Sequence, residues 1–424
     1  MSLTELKVPD NTKADIVIIG GGVIGLCIAY YTACEGASVI LIEQNRIPSG
    51  CSYGNAGLIV PSRCQPLPAP KIIAEGFRHL FSPSGSFSIR LRPDPEMLWW
   101  LWIFYRSCNE KHFFHAVEIL KELSLESLRL HEDLAQQGGS IYEYDYTGLL
   151  SLFGSKKAFR KGQEDARLMG KIGAESRVMT GHEVRDLEPT ISSRVSGAVW
   201  YRRGSRLNPA SFLMWLEQKA RKNGVQFVKE TEVVGFNHNR QHIDAVHTTR
   251  GEFRGDQFVL AAGAWTSSLL KTLNARLPIQ GGKGYSLTFR RPQKSSRTPM
   301  ILEDFHIAVT PFNEMFRLAG YIELSGLELG IDLNRLNRIR QHAQQFLPGI
   351  GDLKLIEIWR GLRPCTPDGL PVMGKLLPIR NLWVAGGHAT KGISLGPVTG
   401  KLMTGLLSGK SIGALEHDLR ADRF

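Results

Sequence analysis

Short apolar runs closed by glycine or asparagine punctuate this chain, and longer stretches with an apolar face lie between them. Ile16-Val17-Ile18-Ile19 is the first run, and it reads as a buried strand. Gly20, Gly22 and Gly25 follow it and open an apolar stretch of helical length, residues 23–33. A second run, Ser38-Val39-Ile40-Leu41-Ile42, ends at Glu43, 18 residues past Gly25. Residues 48–70 are rich in Gly, Ser and Pro and predict an extended loop. Helical period marks 112–137, and Leu149-Leu150-Ser151-Leu152-Phe153 reads as a strand. Asn208 and Pro209 supply a cap and a first-turn proline for a helix to about Lys222, which Asn223-Gly224 ends.

Strands are expected at 225–228, 232–236 and 257–263. Residues 277–330 carry alternating patches at 285–289 and 316–321 and predict an antiparallel sheet. A helix at 333–346, a strand at 381–385, a glycine-rich loop at 386–396 and a last helix ended by Gly405 and Gly409 complete the pattern. No internal repeat or low-complexity tract is present.

The strand, glycine turn, helix, strand and terminal acid at 16–43 are the arrangement that holds a dinucleotide. The first glycine makes the tight turn, the second admits the pyrophosphate to the backbone, and the third lets the helix pack on the strand. The pyrophosphate then sits on unpaired amides at the positive end of the helix. Glu43 accepts from the adenosine ribose hydroxyls, and an acid there disfavours a 2′-phosphate. A tight strand–helix turn without a ligand is the plain alternative.

At the other end, Asn381-Leu382-Trp383-Val384-Ala385-Gly386-Gly387-His388 is a strand entering a glycine turn, and residues 389–397 enter a helix. The amides of that helix can face a developing anion, which a reduced flavin carries on its pyrimidine ring and a nicotinamide ring does not. The side chain of His388 reads as a packing or capping histidine. In Trp359-Arg360-Gly361-Leu362-Arg363-Pro364, Arg363 stands between an apolar residue and a proline. That setting points the guanidinium inward, where its planar fork grips a carboxylate at two points.

Composition narrows the setting. With 424 residues, 42% hydrophobic and 22% charged, the chain suits two or three domains or one two-lobed enzyme. No apolar run reaches the length of a spanning helix, and the polar first dozen residues show no secretory signal. Six cysteines form no C-x-x-C pair and no metal-type cluster, so free thiols in a reducing cytoplasmic setting, and no metal, are expected. The +12 charge suits an anionic partner such as acidic lipid. Basic residues are dispersed and not interleaved with aromatics, which argues against nucleic acid.

Several pieces together resemble the D-amino acid oxidase superfamily of flavoproteins and, within it, the FAD-dependent D-amino acid dehydrogenases of the small-subunit type. They are Ser52-Tyr53-Gly54-Asn55-Ala56-Gly57, Val259-Leu260-Ala261-Ala262-Gly263-Ala264-Trp265, Lys283-Gly284-Tyr285-Ser286, Arg317-Leu318-Ala319-Gly320 with Glu323-Leu324, residues 361–369, and Gly387-His388 through Gly396-Pro397. The resemblance runs in order from residue 15 to about 407. It implies an α/β fold, with a Rossmann-like FAD-binding lobe and an inserted α+β substrate lobe built on an antiparallel sheet. The FAD lobe would comprise 1–64, 181–276 and 355–424, and the substrate lobe 65–180 and 277–354.

The resemblance further implies a non-covalent FAD, a small amino acid oxidised to an imine and then a 2-oxo acid, and electrons passed to a quinone or respiratory carrier. Gly20, Gly22, Val23, Ile24, Gly25, Glu43 and Gln44 would hold the adenosine diphosphate half, with Val233 beside the adenine. Ser52, Asn55, Ala56 and Gly57 would lie against the flavin, Ala262, Gly263 and Trp265 would line the cleft, and Gly387, His388, Lys391, Gly392, Ile393 and Ser394 would wrap the isoalloxazine. Arg363 would hold the substrate carboxylate, with Tyr285 as second donor and Tyr321 nearby, and the amine would rest on backbone carbonyls. Gly361 stands about where the sarcosine oxidase branch has a flavin-linking cysteine, so no covalent link forms there. Arg360 departs from the usual dehydrogenase residue, and 65–180 matches only loosely.

Met97-Leu98-Trp99-Trp100-Leu101-Trp102-Ile103-Phe104-Tyr105-Arg106 is the most aromatic segment. It reads either as a helix packed in the substrate lobe or as one lying on an anionic membrane, which would place the protein on the cytoplasmic face of the inner membrane. Rival readings are a dehydrogenase or oxidase of glycine, sarcosine, proline or hydroxyproline, a flavoprotein subunit of a hetero-oligomer, and an NAD-only dehydrogenase. Side-chain preference, stereochemistry, acceptor and homo- or hetero-oligomeric state are open at this level.

Overall fold

The structure is a computed structural model describing residues 12–70, 72, 85–90, 92–171, 173–351 and 353–424. The polar amino-terminal stretch read above lies, except for Thr12, outside the described residues.

The first strand, β1 (Lys13–Ile19), turns through Gly20 and Gly21 into α1 (Val23–Cys34) and returns as β2 (Val39–Ile42). β1 pairs in parallel with β2 and with the strand Gly251–Leu260, which pairs in parallel with Leu382–Gly386. These are the centre of an eight-stranded sheet, to which Val233–His238, Ile243–Thr248 and Val372–Lys375 add antiparallel strands while Gln226–Val228 closes the other edge in parallel beside β2. Ile16 and Ile18 enter the core under α1, while Val17 and Ile19 enter the core on the other face. Burial on both faces is why these strands are uninterrupted apolar runs without alternation. Helices α1, Glu110–Gly138, Pro209–Lys222 and Gly392–Leu407 share the first of these cores. Gly400 lets the last of them close on α1, since a Cβ there would come within 2.7 Å of the Cys27 backbone.

The second sheet has nine strands, mostly antiparallel. Its edge strand Leu355–Cys365 pairs with Gln280–Arg290, which pairs with Met315–Leu324, and the sheet continues through Ile307–Pro311, Met300–Leu302, Leu149–Phe153, Gly197–Tyr201 and Arg177–Thr180. Helix Leu333–Phe346 covers one face of it.

Five of the expectations need correction. Leu355–Cys365 and Gly197–Tyr201 were placed in the dinucleotide lobe but belong to the second sheet. Helix Glu110–Gly138 was placed in the substrate lobe but packs in the core of the first. Segment 48–70 contains a short helix, Gly50–Tyr53, and a two-residue strand, Leu58–Ile59, instead of loop alone. The loop expected at 386–396 ends at Gly392, where a helix starts despite two glycines and Pro397, because packing on α1 outweighs weak helix propensity.

A candidate active site between the two sheets

A cleft of about 250 Å³ opens at the carboxyl end of β1. At one end stand Glu43, Gln44 and Val233, in the middle Gly20, Gly22, Val23 and Ile24, and at the far end Ser52, His388 and Gly392. Ala262, Gly263 and Trp265 form one wall. Glu43 fixes the turn that it faces, because its carboxylate accepts from the amides of Gly21 at 2.6 Å and Asn45 at 2.9 Å. Carboxylate oxygens hold more than one acceptor site, so capacity remains toward the cleft. Gly22 caps α1 without a side chain, and Ser52 Oγ accepts from the Val23 amide at 3.1 Å. Gly25 does not line the cleft. It sits against the carbonyl of Gly20, which a Cβ would overlap.

The far end is held by a set of polar contacts. Asn55 Oδ1 accepts from the Gly57 amide at 2.8 Å, and its Nδ2 donates to Thr390 O at 3.3 Å. Thr310 Oγ1 donates to Ala56 O at 2.8 Å. Gly57, at φ 72°, packs against the Leu207 carbonyl. Arg317, only 2% exposed, donates from one nitrogen to Tyr53 O and Asn55 O and from Nε to Thr288 Oγ1. Burial presses its pKa down, and Glu357 at 3.9 Å opposes that. Gly387, at φ 75°, forms the turn after Leu382–Gly386 and packs on Thr366. The carbonyls of Ile393 and Ser394 are taken by His131 Nε2 at 3.0 Å and Ser127 Oγ at 2.6 Å, both on helix Glu110–Gly138. Burial lowers the His131 pKa to about 4, so it is the neutral ring that donates.

Two titratable groups mark this end. His388 is buried, its Nε2 lies 2.9 Å from Thr399 Oγ1, and its pKa is pushed down to about 3 by burial. Its Nδ1 is buried without a partner among the described residues. Lys391 donates to Gln65 O at 2.9 Å, pointing away from the cleft, and burial lowers its pKa to about 8.

Arg363 lies beside the far end, on the face of the second sheet that looks toward Cys51 and Gly54. Its Nη1 donates to Tyr321 O at 2.7 Å, and no carboxylate pairs with it among the described residues. Burial pulls its pKa down, with Cys365 and Cys51 as weak opposing neighbours. The sheet separates Arg363 from Tyr285. Arg363 stands opposite Gly282 and lies over Gly284, whereas Tyr285 stands opposite Arg360 and points to the other face. There Tyr285 is fully buried against helix Leu333–Phe346, and its hydroxyl takes the Asp332 amide at 3.3 Å. The side chain of Tyr321 is in the same core, under Arg335. The geometry therefore gives Tyr285 no place as second donor beside Arg363, because a single step along a strand changes the face.

Cleft residues that the sequence reading missed include Asn45, Ser49, Cys51, Thr231, Ser268 and Leu269. Asn45 and Ser49 flank read motifs and were within reach of the sequence. Ser268 and Leu269 lie on the short helix Thr266–Lys271, whose approach to the cleft carries no local signal.

A parallel sheet with a glycine turn over an open cleft, set against an antiparallel sheet bearing an inward arginine with no carboxylate partner among the described residues, defines a two-lobed dinucleotide-dependent oxidoreductase. The family model for DAO, the FAD dependent oxidoreductases, matches residues 15–406, and the chain belongs to that family. It is 32% identical to the D-amino acid dehydrogenase of Vibrio atlanticus over 422 residues, 97% of this chain and 100% of the relative. Among solved structures it is similar to glycine oxidase from Geobacillus kaustophilus (TM-score 0.80, 22% identity, 98% of this chain and 100% of the other) and from Bacillus cereus (0.77, 22%, 97% and 99%). L-proline dehydrogenase from P. horikoshii gives 0.71 at 20% identity, covering 96% of each chain. These likenesses carry the mixed α/β fold, and the family makes FAD the cofactor. The residues present fit that cofactor. Gly263 leaves open space where a side chain would stand, a Cβ on Gly22 would meet only Ser52 Oγ, and His388 Nδ1 is buried without a partner among the described residues.

Proposed function

We propose that this chain oxidises a D-amino acid to its imine, which water converts to a 2-oxo acid, and that the electrons pass to a quinone or respiratory carrier. The observation that carries this reading is the inward guanidinium of Arg363, which has no carboxylate beside it among the described residues. The named activity of the 32% identical relative supports the D-amino acid as substrate. Bound FAD supplies the hydride acceptor, and the residues of this chain supply position. Arg363 grips the substrate carboxylate and so fixes which hydrogen at Cα faces the cleft. Alignment of this kind lowers a barrier by roughly 7 kcal/mol at the low end of its range. His388, with its pKa near 3, and the half-buried thiol Cys51, whose pKa desolvation raises, are neutral at neutral pH and too poorly matched to act as the base. The amine therefore binds uncharged. FAD is held without a covalent bond, consistent with Gly361 at the place of the linking cysteine in the sarcosine oxidase branch.

The same anchor serves glycine, sarcosine, proline or hydroxyproline, and the fold shared with glycine oxidases and a proline dehydrogenase favours keeping that second reading. A panel of D- and L-amino acids and these secondary amines, run with an artificial acceptor beside an oxygen electrode, separates the two. Turnover of a D-amino acid with the dye and little oxygen uptake is expected. Turnover confined to a secondary amine moves the assignment, and an inactive pure chain points to a subunit of a hetero-oligomer.

We also propose peripheral contact with anionic membrane. Among the described residues no helix is long and apolar enough to cross one. Helix Pro95–Ser107 is two-sided, however. Met97, Trp100 and Phe104 pack in a core with Cys365, and Trp100 Nε1 donates to Cys365 O at 2.9 Å. Leu98, Trp102 and Tyr105 are 61%, 56% and 52% exposed, and the Arg106 guanidinium lies over the Trp102 ring. An exposed aromatic row with a cation beside it suits the headgroup boundary. Vesicles containing phosphatidylglycerol should sediment the protein, and changing Leu98, Trp102 and Tyr105 together to serine should abolish this without loss of fold. A wild-type chain that stays in the supernatant would refute the contact.

A further inference from the structure

Between Arg363 and its carbonyl partner lies a local defect in the second sheet. Across the ladder joining Gln280–Arg290 to Met315–Leu324, Lys283 pairs with Glu323 and Tyr285 pairs with Gly320. Gly284 thus faces two residues, Tyr321 and Ile322, in the two-against-one count of a β-bulge. Tyr321 takes the bend at φ 62°, a left-handed conformation that a tyrosine rarely adopts. Its side chain stays in the core beneath Arg335, while its carbonyl leaves the ladder and meets Arg363 Nη1 at 2.7 Å. On the other side, the guanidinium rests on Gly284. A Cβ built there would overlap Nη1 and Cζ, so no other residue leaves the arm where it is.

We infer that Gly284 and the bulge at Tyr321 form a seat that sets how far Arg363 reaches, and that Gly284 is a specificity-determining position for carboxylate-bearing substrates. The inference rests on the carboxylate role proposed for Arg363. Gly284 is a positioning residue: it touches neither substrate nor cofactor and acts only through the arginine. The extended backbone at Gly284 is open to alanine, for its φ is not left-handed, so the substitution tests space and not backbone strain.

The experiment is Gly284→Ala in the FAD-loaded protein, read by steady-state kinetics with the best amino acid of the panel and by titration with benzoate followed in the flavin visible spectrum. A guanidinium displaced by about 1 Å should raise KM and the benzoate dissociation constant roughly tenfold to a hundredfold, with FAD content unchanged and kcat within about threefold. Combining it with Arg363→Ala removes the arm from the seat. In that background Gly284→Ala should have no further effect on benzoate binding, and should regain any melting temperature that the single variant loses. Equal damage in both backgrounds would overturn the inference, as would an unchanged KM and benzoate affinity in Gly284→Ala. If Arg363→Ala itself leaves benzoate binding intact, the carboxylate role fails first, and the two failures are told apart.

Discussion

Replacing Arg363 by leucine should lower kcat/KM for the amino acid substrate by about 10²–10³-fold while the protein stays yellow. The size follows from the loss of one partner of a buried, hydrogen-bonded charge pair, typically 2–5 kcal/mol, with each ~1.4 kcal/mol worth tenfold. Here the half-buried guanidinium already bears a cost of desolvation, with its pKa drawn down and, among the described residues, the Tyr321 carbonyl as its hydrogen-bond partner. Leucine removes that cost, so thermal stability should hold or rise. The loss should therefore appear in turnover and carboxylate affinity alone. Kinetics, a melting curve and the visible spectrum of one preparation check all three. Wild-type substrate affinity in the variant would remove the anchor from the mechanism.

Gly25→Ala should give a colourless protein that takes up added FAD poorly or not at all. Alanine is the better helix former by roughly 1 kcal/mol, so a purely local view predicts a more stable α1. The structure predicts the reverse, because the new Cβ would overlap the carbonyl oxygen of Gly20, a backbone atom that cannot turn aside as a side chain would. Gly20 is itself pinned, with its amide on Ile42 O at 2.8 Å and φ at 112°. Relief requires α1 to lift from β1 or the glycine turn to deform, and either change moves the amides at the start of α1, the place a helix N-terminus offers to a pyrophosphate. Flavin stoichiometry after purification, and again after incubation with excess FAD, is the measurement. A fully loaded yellow variant would show that this close approach is dispensable.

The parts legible in the sequence were those written locally. β1, α1 and β2 follow from apolar runs and glycine spacing. Pro209–Lys222 follows from Asn208, whose side chain accepts from the Ser211 amide, and Leu333–Phe346 and Leu149–Phe153 sit at the residues expected. Most of the dinucleotide turn lines the cleft for the same reason. What failed depends on partners distant in the chain. Nothing near Leu355–Cys365 says that it pairs with Gln280–Arg290 and not with the parallel sheet. The face of Tyr285 is fixed by that pairing and by the bulge at Tyr321, so its hydroxyl chemistry suggested a role that its strand position denies. The inward setting of Arg363 was readable from its leucine and proline neighbours, but its seat on Gly284 was not.

Arg317 ties the two halves of the molecule together. It springs from the antiparallel sheet and ends on the carbonyls of Tyr53 and Asn55, which belong to the turn beside the dinucleotide, and Thr310 repeats the link at Ala56. A clamshell opening between the halves would break all three of these hydrogen bonds at once. The wall of the cleft that carries Ser52 is thereby held by the antiparallel sheet as well as by its own half, so a substitution on Met315–Leu324 can loosen that wall without touching it.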